Sequence, residues 1–368
     1  MHSILEGISQ PTLLLDCKTA KANLNNMNQK NSAAGIRFRP HFKTHQSAQI
    51  GEWFRERGIS AITVSSVDMA EYFAAAGWQD ILIAFSLNVR QMDRIRKLAQ
   101  EIHLEVLVED PISVEVLAAA APAAFDVWIK IDAGAHRTGV EWQQAEHVLN
   151  LARSIEQRKN LRFRGLLTHS GNTYHVDSAA AVVSAFRDGV DHLYWLRDQL
   201  TGSFGSIEVS VGDTPGCSLC EDLSGIDELR PGNFLFYDAQ QLLIGSCRPE
   251  QIAVAAACPV VAVHPERNEV VLYGGAIHLS KDWVDLKEGQ SFGLAALPQE
   301  NRWGLPIEGA IIRSLSQEHG IVRFNKGIPS AIKPGGLLFI LPAHSCLTVQ
   351  ELKKYLTLEG EVIHTMNG

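Results

Sequence analysis

The feature that most constrains this chain is an alternation running from residue 36 to about residue 237, in which short aliphatic or β-branched runs are each followed by a stretch of helical period. Repeated units of that kind predict parallel strands with helices packed against them. Eight strand candidates can be counted, at residues 36–43, 61–66, 81–85, 104–109, 127–132, 164–168, 207–211 and 233–237, with helices such as 67–76 and 89–100 between them. Eight such units closing on themselves make a (β/α)8 barrel. An open doubly wound sheet is the alternative. Neither G-x-G-x-x-G nor G-x-x-x-x-G-K-[ST] stands between a strand and a helix, so dinucleotide and P-loop chemistry lose support.

Outside the series, residues 12–16 read as a strand and residues 20–30 as a helix leading into the barrel. After Gly245 the texture becomes β-rich, with strand candidates at 252–263, 269–272, 309–315, 321–324 and 337–341. The expected architecture is therefore α/β: a TIM-type barrel over residues 17–245, and a mostly β second domain built from residues 1–16 and 246–368. A formal charge of −8 gives no reason to expect nucleic acid as a partner. No apolar stretch approaches the roughly 20 residues of a membrane span. The first residues lack the features of a secretory signal, and six cysteines in a chain this long do not form a disulfide framework, so reduced thiols and a cytoplasmic address are expected. Cys217 and Cys220 form a lone C-x-x-C and read as small buried hydrophobes.

Five places carry candidate chemistry. Lys43 lies in RPHFKTH, where the first barrel strand should finish, and barrel active sites are built at that rim. A partly buried lysine beside other cations can offer a free amine for a Schiff base, although position alone favours a solvated rim lysine. His41 and His45 flank it, but a strand-to-loop segment does not bring i and i+4 to one face, which argues against a metal pair. In IDAGAHRTGV, Asp132 ends a strand, and Gly134 and Gly139 permit a tight loop that aims Arg137 at the barrel mouth; a surface salt bridge is the alternative. His169 and Tyr174 follow another strand end, where Gly171 and Asn172 suit a turn, and His169 reads as either catalytic or structural. Gly212, Asp213 and Thr214 after one strand, with Gly232 and Asn233 in the next loop, can present backbone N–H groups to an anion. Finally, in His344-Ser345-Cys346, an extended backbone would project residues i and i+2 to one face, so that imidazole and thiolate share a metal ion, zinc above all. The alternative is a buried cysteine beside a surface histidine.

Six segments in order, RPHFKTHQS, IDAGAHRTGV, THSGNTY, SVGDTPGCS, ELRPGNFLFYD and PAHSC, resemble the D-serine dehydratase and D-threonine aldolase group, fold-type III relatives of alanine racemase. The resemblance implies pyridoxal 5'-phosphate held by Lys43, with Arg137 at its phenolate oxygen and Tyr174 near its pyridine nitrogen. It implies a phosphate site at Gly212, Asp213, Thr214, Gly232 and Asn233, and a divalent metal, zinc by preference, at His344 and Cys346. The family often has a smaller or neutral residue at Asp213, so this carboxylate is expected to point away from the phosphate. A homodimer is expected by the same analogy.

The implied substrate is a small D-3-hydroxy amino acid. Lys43 would take its Cα proton while the metal binds its 3-hydroxyl, and His169 is a further catalytic candidate. Departure of the hydroxyl would lead to a 2-oxo acid and ammonia; loss of the hydroxyl proton would lead instead to glycine and an aldehyde. Tyr174 and its surroundings favour the dehydratase. A racemase would need a second base and no metal, and a non-catalytic pyridoxal-phosphate protein would not need the long β domain.

Overall fold

The computed structural model describes residues 2–120, 125–300 and 302–368. The chain forms two compact units, one of Asn26–Lys43 and Gly51–Gly232 and the other of Met1–Asn25, Thr44–Ile50 and Asn233–Gly368. In the first unit, β1 (Arg37–Phe38), β2 (Ala61–Val64), β3 (Asp80–Ser86), β4 (His103–Val108), β5 (Phe125–Asp132), β6 (Leu161–Thr168), β7 (Glu208–Val211) and β8 (Glu228–Leu229) run parallel, each beside the next. β8 pairs back onto β1, and a bridge between His41 and Thr63 closes the ring. This is the expected parallel barrel.

The eighth strand is not where the alternation put it. The apolar run at 233–237 begins with the 3-10 turn Asn233–Leu235, and the strand is Glu228–Leu229 just before it. Its signal is hidden because Glu228 is fully buried yet charged. Charged residues read as surface, but this one is paired inside the barrel with Arg37 and Arg39.

The barrel is filled in layers, as the two-residue period of each strand requires. Arg39 lies 2.8 Å from Glu228, 2.8 Å from Glu105 and 2.6 Å from Asp80, an ionic layer in which each guanidinium nitrogen meets a carboxylate. Buried charge is tolerated only with that degree of pairing. Two residues further along β3 and β4, Leu82 and Leu107 join Trp128 and Leu167 in an apolar layer. The next inward step reaches Lys130, which is buried.

In the second unit, Val254–His264 is the organising strand. Thr12–Leu15 pairs antiparallel with it on one side and parallel with Lys354–Thr357 on the other. Leu337–Pro342 lies along its other edge, followed by Gly293–Pro298 and Trp303–Pro306. A bulge between Val260 and Ala262 lets the same long strand also pair with Glu269–Tyr273, which continues to His319–Phe324 and Ala310–Leu315. Val260, Val270, Leu272, Ile312, Val322 and Leu338 pack into the core this creates.

Candidate functional site

Arg39 belongs to the ionic layer, His41 makes the closing bridge with Thr63, and Lys43 follows two residues later. Lys43 sits half-buried in the turn after the closing bridge, and its backbone N–H donates to His41 Nδ1 at 3.3 Å. His41 and His169 are both held well below the ordinary imidazole value. Burial is the main cause, followed for each by the Lys43 charge, with Arg137 acting on both, Arg230 on His41 and Lys130 on His169. His169 Nδ1 also faces the Gly212 carbonyl, which fixes the proton there and leaves the Nε2 lone pair outward.

Two of these cations escaped the sequence reading. Burial, then Arg230 and Arg137, bring Lys130 down to about 7. Arg230 is 4% exposed, and its guanidinium donates to Ser210 Oγ at 2.7 Å and to the Thr168 carbonyl. Burial pulls it to about 10. Alternation was the signal that could have found both: Trp128, Lys130 and Asp132 share a strand face, as do Glu228 and Arg230.

Asp132 accepts hydrogen bonds from the backbone N–H groups of Gly134, Ala135 and His136 at 2.9, 2.9 and 3.0 Å, which shapes the loop carrying Arg137. Arg137 is exposed, and among the described residues no carboxylate lies within ion-pair distance of it. The salt-bridge alternative therefore has no partner. Tyr174 ends the turn Gly171–Tyr174, and its hydroxyl accepts the Thr214 N–H at 3.2 Å. Asp213 is committed elsewhere: it caps the helix Thr214–Leu219 through Gly216 N–H at 2.6 Å and accepts from Thr173 Oγ1 at 2.8 Å. Burial pushes it up to about 7. Gly212 is closely covered, since a Cβ there would stand 2.9 Å from Arg230 Cβ. A half-buried lysine with the Arg137 charge and two neutral imidazoles about it, and a glycine at close backbone approach, is a donor set that fits an anionic cofactor such as pyridoxal phosphate.

His344, Cys346 and Asn233 belong to the other unit. The H-x-C segment is not extended. His344 is the cap of the helix Ser345–Leu352 and Cys346 lies in its first turn, so a helix start, not a strand face, carries the pair. Cys346 is buried, 3.3 Å from Thr44 Oγ1 and 3.9 Å from Asn233 Nδ2. His344 Nδ1 stands 3.6 Å from Asp238. One thiol and one imidazole beside a buried carboxylate fit a borderline-soft divalent ion. Other acid and histidine groupings are committed elsewhere: Asp80 and Glu105, beside His103, are paired with Arg39, and Asp132, beside His136, holds its own loop. His45, whose Nδ1 accepts the Ser47 N–H, is lowered by burial to about 3. Cys217 and Cys220 are buried, and burial holds the Cys217 thiol far up its scale.

Residues 15–240 match the family model of the alanine racemase N-terminal domain, and residues 253–358 match that of a putative serine dehydratase domain. The chain is 29% identical to D-threo-3-hydroxyaspartate dehydratase from Delftia sp. (strain HT23), over 98% of this chain and 97% of that one. The solved structure of that dehydratase superimposes with a TM-score of 0.90, covering 98% of both chains. A cysteine variant of it is described as being in the metal-free form. D-serine dehydratase from Dictyostelium discoideum is 27% identical, over 97% and 95% of the two chains. D-threonine aldolase from Arthrobacter sp. is 26% identical, over 92% and 86%.

Proposed function

The chain belongs to the alanine racemase N-terminal domain family, and on that premise we propose that it is a pyridoxal-phosphate lyase that dehydrates small D-3-hydroxy amino acids to 2-oxo acids and ammonia. The observation that carries the dehydratase reading is the serine dehydratase model over residues 253–358, the segment that contains His344 and Cys346. Retro-aldol cleavage to glycine and an aldehyde is the second reading, favoured by the aldolases among the relatives.

Bound pyridoxal phosphate supplies an electron sink for the Cα carbanion, and a divalent ion, zinc by preference, supplies a Lewis acid for the 3-hydroxyl. Lys43 would hold the cofactor, and its amine is the group that would take the Cα proton. Among the described residues no carboxylate pairs with Arg137, and its charge would serve the phenolate oxygen. Tyr174 offers a neutral hydroxyl to the pyridine nitrogen and so leaves the ring less protonated than a carboxylate would. Gly212, Thr214, Gly232 and the backbone of Asn233 take the phosphate; Asp213 shapes that loop as a helix cap. His169, kept neutral, presents Nε2 as a proton acceptor or orienting group for the substrate. His344 and Cys346 would hold the ion.

No helix is long and apolar enough to cross a membrane among the described residues. None of the six cysteines is in a disulfide, in keeping with a cytoplasmic address. A homodimer is inferred from the likeness to this family alone. Sedimentation as a monomer would remove that part.

The reaction is tested by incubating the protein and pyridoxal phosphate with D-serine, D-threo-3-hydroxyaspartate and D-threonine, with and without a chelator. Chelator-sensitive formation of 2-oxo acid and ammonia is expected. Glycine plus aldehyde as the main products would install the aldolase reading, and chelator-insensitive interconversion of enantiomers would overturn both.

A further inference from the structure

We propose that Asp238 is a positioning residue for the metal centre: its carboxylate holds the His344 ring from the Nδ1 side and the Ser345 backbone from its N–H, turning Nε2 of His344 toward the ion. The proposal rests on the metal-dependent reading of His344 and Cys346.

Asp238 is fully buried. Among the described residues no arginine or lysine lies within ion-pair distance of it; its ionisable neighbours include His344, whose Nδ1 is 3.6 Å from Oδ2, and the Cys247 thiol, which brings no positive charge. A carboxylate in that position is costly unless donors and positive charge surround it. Three N–H groups supply part of what it needs. Oδ2 accepts from the Ser345 N–H at 2.9 Å and from Asn233 Nδ2 at 2.6 Å, and Oδ1 accepts from the Gln241 N–H at 3.0 Å. With its oxygens so engaged, Asp238 is poorly placed to be a ligand itself. A cation bound through His344 would supply the missing positive charge through the imidazole.

The contact at 3.6 Å is electrostatic and too long for a hydrogen bond. A small rotation of His344, half-buried at a helix cap, closes it, with the ring donating from Nδ1. That donation fixes the tautomer in which Nε2 carries the lone pair, the arrangement in which a carboxylate orients a metal-bound histidine. Asn233 extends the same support. Its Nδ2 reaches Asp238, Ser345 Oγ at 3.2 Å and Cys346 Sγ at 3.9 Å, which ties the carboxylate to both candidate ligands.

Asp238 also caps the helix Ala239–Ile244 through Gln241, so truncation to alanine would mix two effects. Asp238→Ser separates them: serine caps a helix about as well as aspartate but is too short to reach His344. Asp238→Asn, which preserves the volume, is the second variant and stands in should the serine variant not fold. On the full chain, Zn2+ affinity is measured by competition with a chromophoric chelator, and the Co2+ derivative is read by its visible and thiolate charge-transfer bands. The variants are expected to keep the thiolate band and to bind Zn2+ about 10- to 100-fold more weakly than the unmodified protein, with altered visible Co2+ bands. Unchanged affinity and bands in both variants would overturn the role of Asp238 while leaving the metal reading intact. Failure of the unmodified protein to bind either ion would overturn both.

Discussion

At the scale of single residues, Lys43 and His103 show how a side chain's role depends on its neighbours. Lys43 shares its surroundings with Arg137, His41 and His169, and its amine is the one expected to be labelled when the holoprotein is reduced with borohydride. Peptide mapping that finds the label on another lysine would remove the basis of the proposed reaction. His103, at the start of β4, is held up at about 10 by hydrogen bonds to Asp126 and Asp80, each at 3.1 Å. Because its folded value lies above the usual 6.5, the stability it contributes is fully present below 6.5 and is lost as pH rises through about 10. His103→Gln should therefore lower stability in slightly acidic urea titrations and make little difference above that upper limit. With 43% of the side chain exposed, the effect should stay within about 1 kcal/mol. A difference that grows with pH would contradict the pairing.

At the scale of elements, the loop after β5 depends on Gly139. Its φ is +112°, and a Cβ would meet Asp132 N at 2.6 Å and the Ile131 carbonyl carbon at 2.7 Å, both backbone atoms that cannot turn aside. Gly139→Ala should cost at least about 2 kcal/mol and, by displacing Arg137, weaken retention of pyridoxal phosphate. Gly35 is the control. Its φ is +66° but nothing lies within 4 Å of a Cβ there, so Gly35→Ala should cost only about 1 kcal/mol and leave cofactor binding unchanged. Thermal denaturation and a cofactor titration on the two variants separate strain from clash; equal losses would mean that the crowding at Gly139 is relieved by backbone movement.

At the scale of the whole molecule, the chain passes between its two units four times, so neither is a continuous piece of sequence. Thr12–Leu15 is an inner strand of the second unit, and Leu13, Leu14 and Leu15 are buried there. Burying three leucines is worth roughly 5–9 kcal/mol, a large part of the roughly 5–15 kcal/mol that holds a whole domain together. A chain lacking residues 1–16 should therefore lose the β unit, seen as rapid proteolysis within residues 233–368. Native-like protease resistance of that segment would contradict the central place of the strand.

The barrel was legible because eight parallel strands buried on both faces leave near-continuous apolar runs in the sequence, and the rim residues Lys43, Arg137, His169 and Tyr174 follow strand ends that local pattern can find. Glu228–Leu229 was not legible, because a charge paired across the barrel looks in sequence like a charge in water. Nor were Lys130 and Arg230, whose inward direction depends on the register of neighbouring strands. His344 and Cys346 could be named from spacing, but their geometry could not. The helix start that carries them, and the buried Asp238 behind them, arise from contacts between segments about a hundred residues apart. Local periodicity determined which elements form; only long-range packing decided which charges are buried together.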